Sequence, residues 1–181
     1  MNYYIVIPFS VKVSNTTSAK PEPSQEHLRG ASSPAFLLAQ IGSHAAAQFA
    51  ERLAPMGLTP AHAGILRLIQ ASKGLSQQAL AAELRTVPSR LVVLIDELEQ
   101  RRLVERRNHP SDRRSYALYL TDGGRNALKA IGRLAREHQQ ALCAALSEHE
   151  LAQLGSLLQR VAEQQGLRLG VHPGFSQSRP T

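Results

Sequence analysis

Arginine side chains are concentrated in one short stretch of the 181-residue sequence. Between Gln100 and Arg114 there are six arginines and two acids, Glu105 and Asp112, so this stretch carries an excess of four positive charges within a net charge of +7. Guanidinium groups make paired hydrogen bonds to phosphate oxygens and to guanine edges. The stretch therefore indicates a polyanionic partner, although an isolated run of cations is also typical of a solvated surface.

Other residue types that could do chemistry are scattered along the chain. No two of the seven histidines are four residues apart and no C-x-x-C occurs, so we expect no metal site and no cofactor. There is no Gly-rich phosphate loop, and nothing positions a Ser-His-Asp triad, so the chain is not expected to be an enzyme. Cys143, the single cysteine, lies late in a helical segment, which favours a buried structural thiol.

The composition narrows the class of protein. Hydrophobic residues make up 43% of the chain, which is enough to bury a core, and one cysteine excludes an internal disulfide. No apolar run approaches the roughly 18 residues of a membrane span. We therefore expect no membrane partner and a cytoplasmic location.

Helical periodicity dominates residues 34–165. Helix starts are indicated by a capping residue or a proline at the first helical position, and Ser147 with Glu150 forms a capping-box pattern. Before Ser147, the starts fall at Ser33-Pro34, Thr59-Pro60, Ser76, Pro88 and Asp122.

The period changes from 3.6 to 2 after the fourth of these helices. Leu103–Arg107 and Tyr116–Leu120 are predicted strands, and the polar residues 108–112 between them predict a hairpin with a longer loop. The order helix, short helix, helix, hairpin is that of a winged helix-turn-helix. The predicted fold is mainly α with a small β-hairpin wing, joined to a helical dimerisation region.

Several segments within about residues 34–165 resemble the MarR family of bacterial transcription regulators. The resemblance is carried by an opening helix, a short second helix, the end of the third helix and a wing pattern D-x-R followed by L-T and Gly. These are Thr59–Ile69, Leu75–Ala81, Leu98–Arg106, and Asp112, Arg114, Leu120, Thr121 and Gly124. The resemblance implies a homodimer with interlocking terminal helices, in which each subunit binds half of a palindromic operator. Most relatives are repressors, and many release DNA when a small phenolic or amphipathic ligand binds.

The predicted organisation has three parts. Residues 1–33 are expected to be a disordered extension, which could also come from an upstream start codon, and residues 166–181 a flexible tail. Residues 34–165 hold the MarR-like domain, with a DNA-binding lobe over about 59–121 and dimerisation helices over about 34–54 and 122–165. Apolar stripes on the terminal helices suit either a dimer or an internal core, and the resemblance favours the dimer. The stripes are Leu37, Leu38 and Ile41, and Leu151, Leu154, Leu158 and Val161.

The helix from Pro88 to Gln100 is the predicted recognition helix. Its core-facing residues leave Ser89, Arg90 and Val93 on the other face, near the end that meets base edges. We predict that Pro88, Ser89, Arg90 and Val93 contact DNA, with Arg90 as a guanine reader or phosphate clamp, although a solvated face remains the alternative. Val92 stands where many relatives carry Thr.

The wing supplies the second predicted contact. Arg106, Arg107, Arg113 and Arg114 are the predicted wing cations, the last two suited to the minor groove. Asp112 would be repelled by phosphate, so we expect it to pair with an arginine and hold the wing in shape. Relatives usually have Gly at the position of Arg102, and a left-handed turn at a non-Gly residue costs roughly 1 kcal/mol.

The sequence thus predicts a dimeric repressor that a small ligand, with aromatic ligands as one candidate class, releases from a palindromic operator. Its expected partners are double-stranded DNA, a second copy of the chain and a small-molecule effector. His44 and His62 are candidate effector contacts, although a satisfied core or surface histidine is the commoner role. Two alternatives stay open: a winged-helix module for proteins or nonspecific nucleic acid, and a redox- or metal-responsive regulator.

Overall fold

A computed structural model describes residues 33–109 and 112–167, without the side chains of residue 109 and residues 112–115. The chain divides into two units, residues 1–40 and 41–181, which are considered separately. The extension predicted over 1–33 and the tail predicted over 166–181 lie outside the described residues, apart from Ser33, Gly166 and Leu167.

The described part of the first unit is the beginning of helix α1 (Pro34–Leu53). The backbone N–H of Phe36 donates to Ser33 Oγ at 3.3 Å, so Ser33 caps the helix as the sequence predicts. Residues 34–40 are all exposed, including Phe36, Leu37 and Leu38.

The second unit contains the rest of α1 and a winged helix-turn-helix. After a 3-10 turn (Ala54–Met56), the elements are α2 (Pro60–Ala71), β1 (Leu75–Ser76), α3 (Gln77–Leu84), α4 (Pro88–Gln100), β2 (Val104–His109), β3 (Asp112–Leu120), α5 (Asp122–Leu142) and α6 (Glu148–Gln164). The architecture is mainly α with a small antiparallel sheet, which confirms the predicted fold class.

The helices begin where local side chains can satisfy the first free backbone N–H groups. Thr59, Ser76, Thr121 and Ser147 each accept a hydrogen bond from the backbone N–H three residues later. The side chain of Glu150 accepts a hydrogen bond from the backbone N–H of Ser147 at 2.8 Å, which completes the predicted capping box.

The sheet differs from the prediction in extent. Its strand order is β1-β3-β2, and the two-residue strand β1, which pairs Leu75 with Leu118, was not predicted because so short a strand leaves no periodic signal. The hairpin strands continue to His109 and from Asp112, so the predicted ends at Arg107 and Tyr116 were wrong. Backbone pairing continues through polar residues, with a register shift between Asn108 and His109.

One core joins the winged helix-turn-helix to α5. Leu66 of α2, Ile95 and Leu98 of α4, Leu118 of β3 and Ile131 of α5 are all buried in it. Helix α6, by contrast, has no buried residue. Among the described residues, no helix is both long enough and apolar enough to cross a membrane.

Candidate nucleic-acid interface

Helix α4 presents one face to the core and the opposite face to solvent. Leu91, Ile95 and Leu98 are buried, which fixes the rotation of the helix about its axis. The four residues predicted to contact DNA, Pro88, Ser89, Arg90 and Val93, are all exposed at its N-terminal half. Their outward placement agrees with the periodicity, and their contact with DNA stays a prediction.

The acidic residues of α4 all have basic partners on other elements. Asp96, Glu97 and Glu99 lie in the C-terminal half of the helix, where carboxylates are disfavoured by the helix dipole and would repel phosphate. Arg106 contacts Asp96 and Glu99, and His62 contacts Glu97. Arg106 therefore offsets part of the negative charge of Asp96 and Glu99, whereas the neutral ring of His62 contacts Glu97 without cancelling its charge.

Arg106 joins the wing to the recognition helix. Its Nη2 lies 2.5 Å from Asp96 Oδ1, its Nη1 donates to Glu99, and its backbone N–H donates to Glu99 Oε1 at 3.4 Å. Partial burial alone would lower the pKa of Arg106, but the two carboxylates outweigh it and raise the pKa above its ordinary value. The side chain is only 18% exposed, so Arg106 links the two elements, and its predicted contact with DNA stays a prediction.

His62 joins the start of α2 to the recognition helix. Its Nδ1 accepts the backbone N–H of Thr59 at 3.2 Å, its own N–H donates to Thr59 Oγ1 at 3.3 Å, and its Nε2 lies 2.9 Å from Glu97 Oε2. This geometry fits the neutral ring with its proton on Nε2. Burial lowers the pKa of His62, Glu97 opposes that shift, and Arg101 adds to it.

Nδ1 of His62 is hydrogen-bonded to Thr59 and the buried Nε2 lies against Glu97, so the ring packs within the protein, and its effector contact stays a prediction. His44 is exposed on α1, and its effector contact stays a prediction. Sequence alone could not show the Glu97 partner, because it lies 35 positions further along the chain on another helix.

Arg107 is the wing cation whose side chain is described and exposed. It is 60% exposed, lies 2.5 Å from Glu105 Oε1, and stacks over the ring of Tyr119 at 4.7 Å. The stacking restricts the position of the Arg107 guanidinium without burying it. The side chains of Arg113, Arg114 and Asp112 lie outside the described residues, so their predicted roles stay predictions.

The turn between α4 and the wing is braced against the start of α5. Arg102 has a left-handed backbone with φ +55°, a conformation that glycine adopts more readily than other residues. Its carbonyl oxygen accepts the hydroxyl of Thr121 at 2.5 Å, and the carbonyl of Leu103 accepts the N–H of Thr121 at 3.1 Å. Gly124 packs directly on Leu103, because a Cβ there would lie 2.9 Å from the Leu103 carbonyl carbon and closer still to its oxygen.

Two adjoining cavities lie between the end of α2, the sheet and the start of α5. The first, of about 190 Å³, is lined by Ile69, Gln70, Lys73, Arg107, Tyr119, Leu120 and Arg125. The second, of about 310 Å³, is lined by Gln70, Arg125, Leu128 and Lys129. Neither His44 nor His62 lines them. Sequence reasoning missed this site because its cations come from separate elements and no local motif marks them.

The remaining chemical candidates do not assemble into a site. Among the described residues, no group of three or more His, Cys, Asp or Glu side chains could hold a metal ion. Cys143 is half-buried at the C-terminal end of α5.

A helix-turn-helix with a hairpin wing places the molecule among winged-helix proteins. The sequence model of the MarR family matches residues 56–115, which cover the helix-turn-helix and the first part of the wing. The chain belongs to the MarR family of transcriptional regulators.

Known relatives agree with this assignment. A putative transcriptional regulatory protein for the hcr operon of Thauera aromatica is 37% identical over 108 residues, which cover 60% of this chain and 65% of that protein. The transcriptional repressor CouR, solved bound to a 23-mer DNA duplex, is 32% identical with a TM-score of 0.68, over 78% of this chain and 99% of CouR. CouR from Rhodococcus jostii RHA1 has also been solved bound to p-coumaroyl-CoA, with 28% identity and a TM-score of 0.61, over 73% and 93% of the two chains. Membership in a family of transcriptional regulators agrees with the expectation that the chain is not an enzyme.

Proposed function

We propose that this chain is a cytoplasmic, dimeric repressor that binds a palindromic operator and releases it when a small anionic effector binds. The observation that carries the proposal is the electrostatic arrangement around α4. Asp96 and Glu99 share the cation Arg106 and Glu97 contacts His62, while Arg90 and the wing residue Arg107 remain exposed. The surface formed by α4 and the wing therefore suits the phosphates and base edges of a duplex.

The proposed dimer is supported by the apolar face of α6. Leu154, Leu157, Leu158 and Val161 are between 37% and 55% exposed, on a helix without a buried residue. The apolar face of an amphipathic helix is normally buried against another part of the protein or against a partner. A second copy of the chain is the occupant that family membership favours. The exposed apolar residues of the first unit suit the same role.

Sedimentation of the full chain tests the dimer. Leu158→Glu should weaken self-association by more than about tenfold, because it would bury an unpaired charge in the interface. Ser156→Glu is the matched control, because it adds the same charge to the opposite side of α6. If both variants and the parent chain all sediment as dimers, α6 is not part of the dimer interface.

The proposed effector site is the pair of cavities beside the wing. Lys73, Arg107, Arg125 and Lys129 supply cations, and Tyr119 with neighbouring leucines supplies apolar contact. This lining suits an amphipathic anion, a class that includes the p-coumaroyl-CoA bound by CouR. An effector there would contact both Arg107 of the wing and the helices that support it.

Fluorescence anisotropy with labelled duplexes tests the whole proposal. DNA from upstream of the chain's own reading frame should bind more tightly than a random duplex of equal length. For each phosphate that the protein neutralises, the logarithm of the association constant should fall by about 0.9 per tenfold increase in salt concentration. Arg90→Ala should weaken operator binding by about tenfold or more. Arg160→Ala, which removes the same charge from α6, should not.

Other results would favour other functions. Equal affinity for operator and random DNA would support the nonspecific nucleic-acid module instead. Addition of p-coumaroyl-CoA or of a small aromatic acid should release bound DNA, and Lys129→Ala should reduce that response without changing DNA affinity. Release that depended on Cys143 or on a metal ion would instead support a redox- or metal-responsive regulator.

A further inference from the structure

The exposed apolar side chains of the DNA-binding lobe are confined to two elements. Of the residues described between 54 and 121, the large apolar side chains left exposed are Val87, Val92, Val93 and Tyr116. The three valines lie at the N-cap and in the first half of α4, and Tyr116 lies on the wing. In the rest of the described chain, such side chains occur over 36–41 and 146–167, on or beside the terminal helices.

Val93 is the most exposed of the three valines, at 56%. At 100° per residue it points almost opposite to the buried Leu91, Ile95 and Leu98, so it occupies the centre of the outward face. A β-branched residue is also a weaker helix former than alanine. Neither core packing nor helix propensity explains why valine stands there.

The surroundings of Val93 favour DNA over a protein as the occupant of this face. Arg90 is exposed one turn before Val93, and the two acids one turn after it, Asp96 and Glu97, contact Arg106 and His62. A few small apolar groups within a basic surface match the floor of the major groove, where phosphates flank base edges. They are too few for the hydrophobic core of a protein interface.

We propose that Val93 recognises thymine, by packing its methyl groups against the 5-methyl group in the major groove. Thymine is the base that presents a methyl group there, and apolar side chains are its usual partners. This inference rests on the proposed function, in which α4 enters the major groove.

The neighbouring Arg90 fixes where that thymine lies in the half-site. Arg90 and Val93 are three residues apart, so they are adjacent on the helix surface and separated by about 4.5 Å along its axis. Base pairs are stacked about 3.4 Å apart. Where Arg90 reads a guanine, the thymine is therefore expected one or two base pairs from it, and the step between them would be a specificity element of each half-site.

The experiment removes single methyl groups from the DNA. The full chain is first used to select its preferred duplex from a random library, and each thymine of that duplex is then replaced in turn by deoxyuridine. At one thymine in each half-site, the parent chain should bind the deoxyuridine duplex about fourfold more weakly, the ratio expected for one buried methyl group. Val93→Ala should bind the thymine and deoxyuridine duplexes equally at that position.

Val92→Ala is the matched control, because it loses the same atoms from the same helix on a different side. It should keep the preference for thymine at that position, and both variants should keep the thermal midpoint of the parent chain. Two results would overturn this inference and leave the proposed function intact. In the first, no replacement of thymine by deoxyuridine in the selected site changes the affinity of the parent chain. In the second, Val93→Ala still binds the deoxyuridine duplex more weakly than the thymine duplex. Failure to select any sequence would overturn both.

Discussion

Arg106 of strand β2 forms an ion pair with Glu99 of helix α4, and the same guanidinium also contacts Asp96. The Arg106 side chain, from strand β2 of the wing, thus attaches the wing to α4. This contact fixes how the wing lies against α4, the two elements that the proposed function places on one duplex. It also puts a cation beside two carboxylates of α4.

Arg106→Gln should lower the free energy of unfolding by about 2 kcal/mol, because it leaves two carboxylates of one helix without their shared cation. Arg107→Gln is the control, with an expected loss of no more than about 1 kcal/mol, because its ion pair is exposed. Urea denaturation monitored by circular dichroism measures both. Equal losses would show that the link between wing and helix contributes nothing beyond a surface pair.

Acidification should weaken the fold through His62. Because burial lowers the pKa of His62 in the folded chain, the unfolded chain takes up the proton first as the pH falls. The stabilisation that neutral His62 contributes is complete above its pKa in the unfolded chain, about 6.5. That stabilisation is lost as the pH falls through the pKa of His62 in the folded chain. Protonation of Nδ1 would also remove the acceptor for the Thr59 N–H.

The measurement is the free energy of unfolding between pH 7.5 and pH 5 for the parent chain and for His62→Gln. Glutamine at this capping position can still accept the Thr59 N–H but does not titrate. The pH dependence should be smaller in the variant. The pKa of His138 is lowered as well, by burial and by the charges of Arg52 and His44, so some dependence should remain. Identical pH profiles would exclude a contribution from His62.

Gly124→Ala should destabilise the chain by about 2 kcal/mol or more, because the added methyl group would overlap the Leu103 carbonyl and separate the wing root from α5. Gly132→Ala lies in the same helix, where its nearest neighbour would be the Arg136 side chain at 3.7 Å. That control should raise stability by about 0.5–1 kcal/mol through helix propensity. Thermal denaturation of the two variants provides the comparison, and a tolerated Gly124→Ala would contradict the close packing.

Arg102→Gly should raise the free energy of unfolding by about 0.5–1 kcal/mol. The left-handed backbone costs a non-Gly residue about 1–2 kcal/mol, and part of the relief is offset by the greater freedom of glycine in the unfolded chain. Arg107→Gly, in an ordinary strand conformation, should lower stability instead. A loss of stability in Arg102→Gly would mean that the arginine side chain outweighs the backbone strain.

The parts of the fold that are determined locally were predictable from sequence. The caps at Thr59 and Ser147 need only residues one turn apart, and the outward position of Arg90 follows from the period of α4. The partners of Arg106 and His62 were not predictable, because each contact joins elements whose packing depends on the whole core. The cavities were missed for the same reason, and the ends of the wing strands because backbone pairing does not require apolar side chains.

The strand order β1-β3-β2 leaves β2 at an edge of the sheet, where backbone groups outside the ladder could bind a strand from another molecule, although the N–H of Arg106 already donates to Glu99. Glu105, Arg106 and Arg107 place three consecutive charges on this edge. Another strand could add there only by desolvating these charges or breaking their ion pairs. The charged residues of β2 therefore also disfavour edge-to-edge aggregation of the chain.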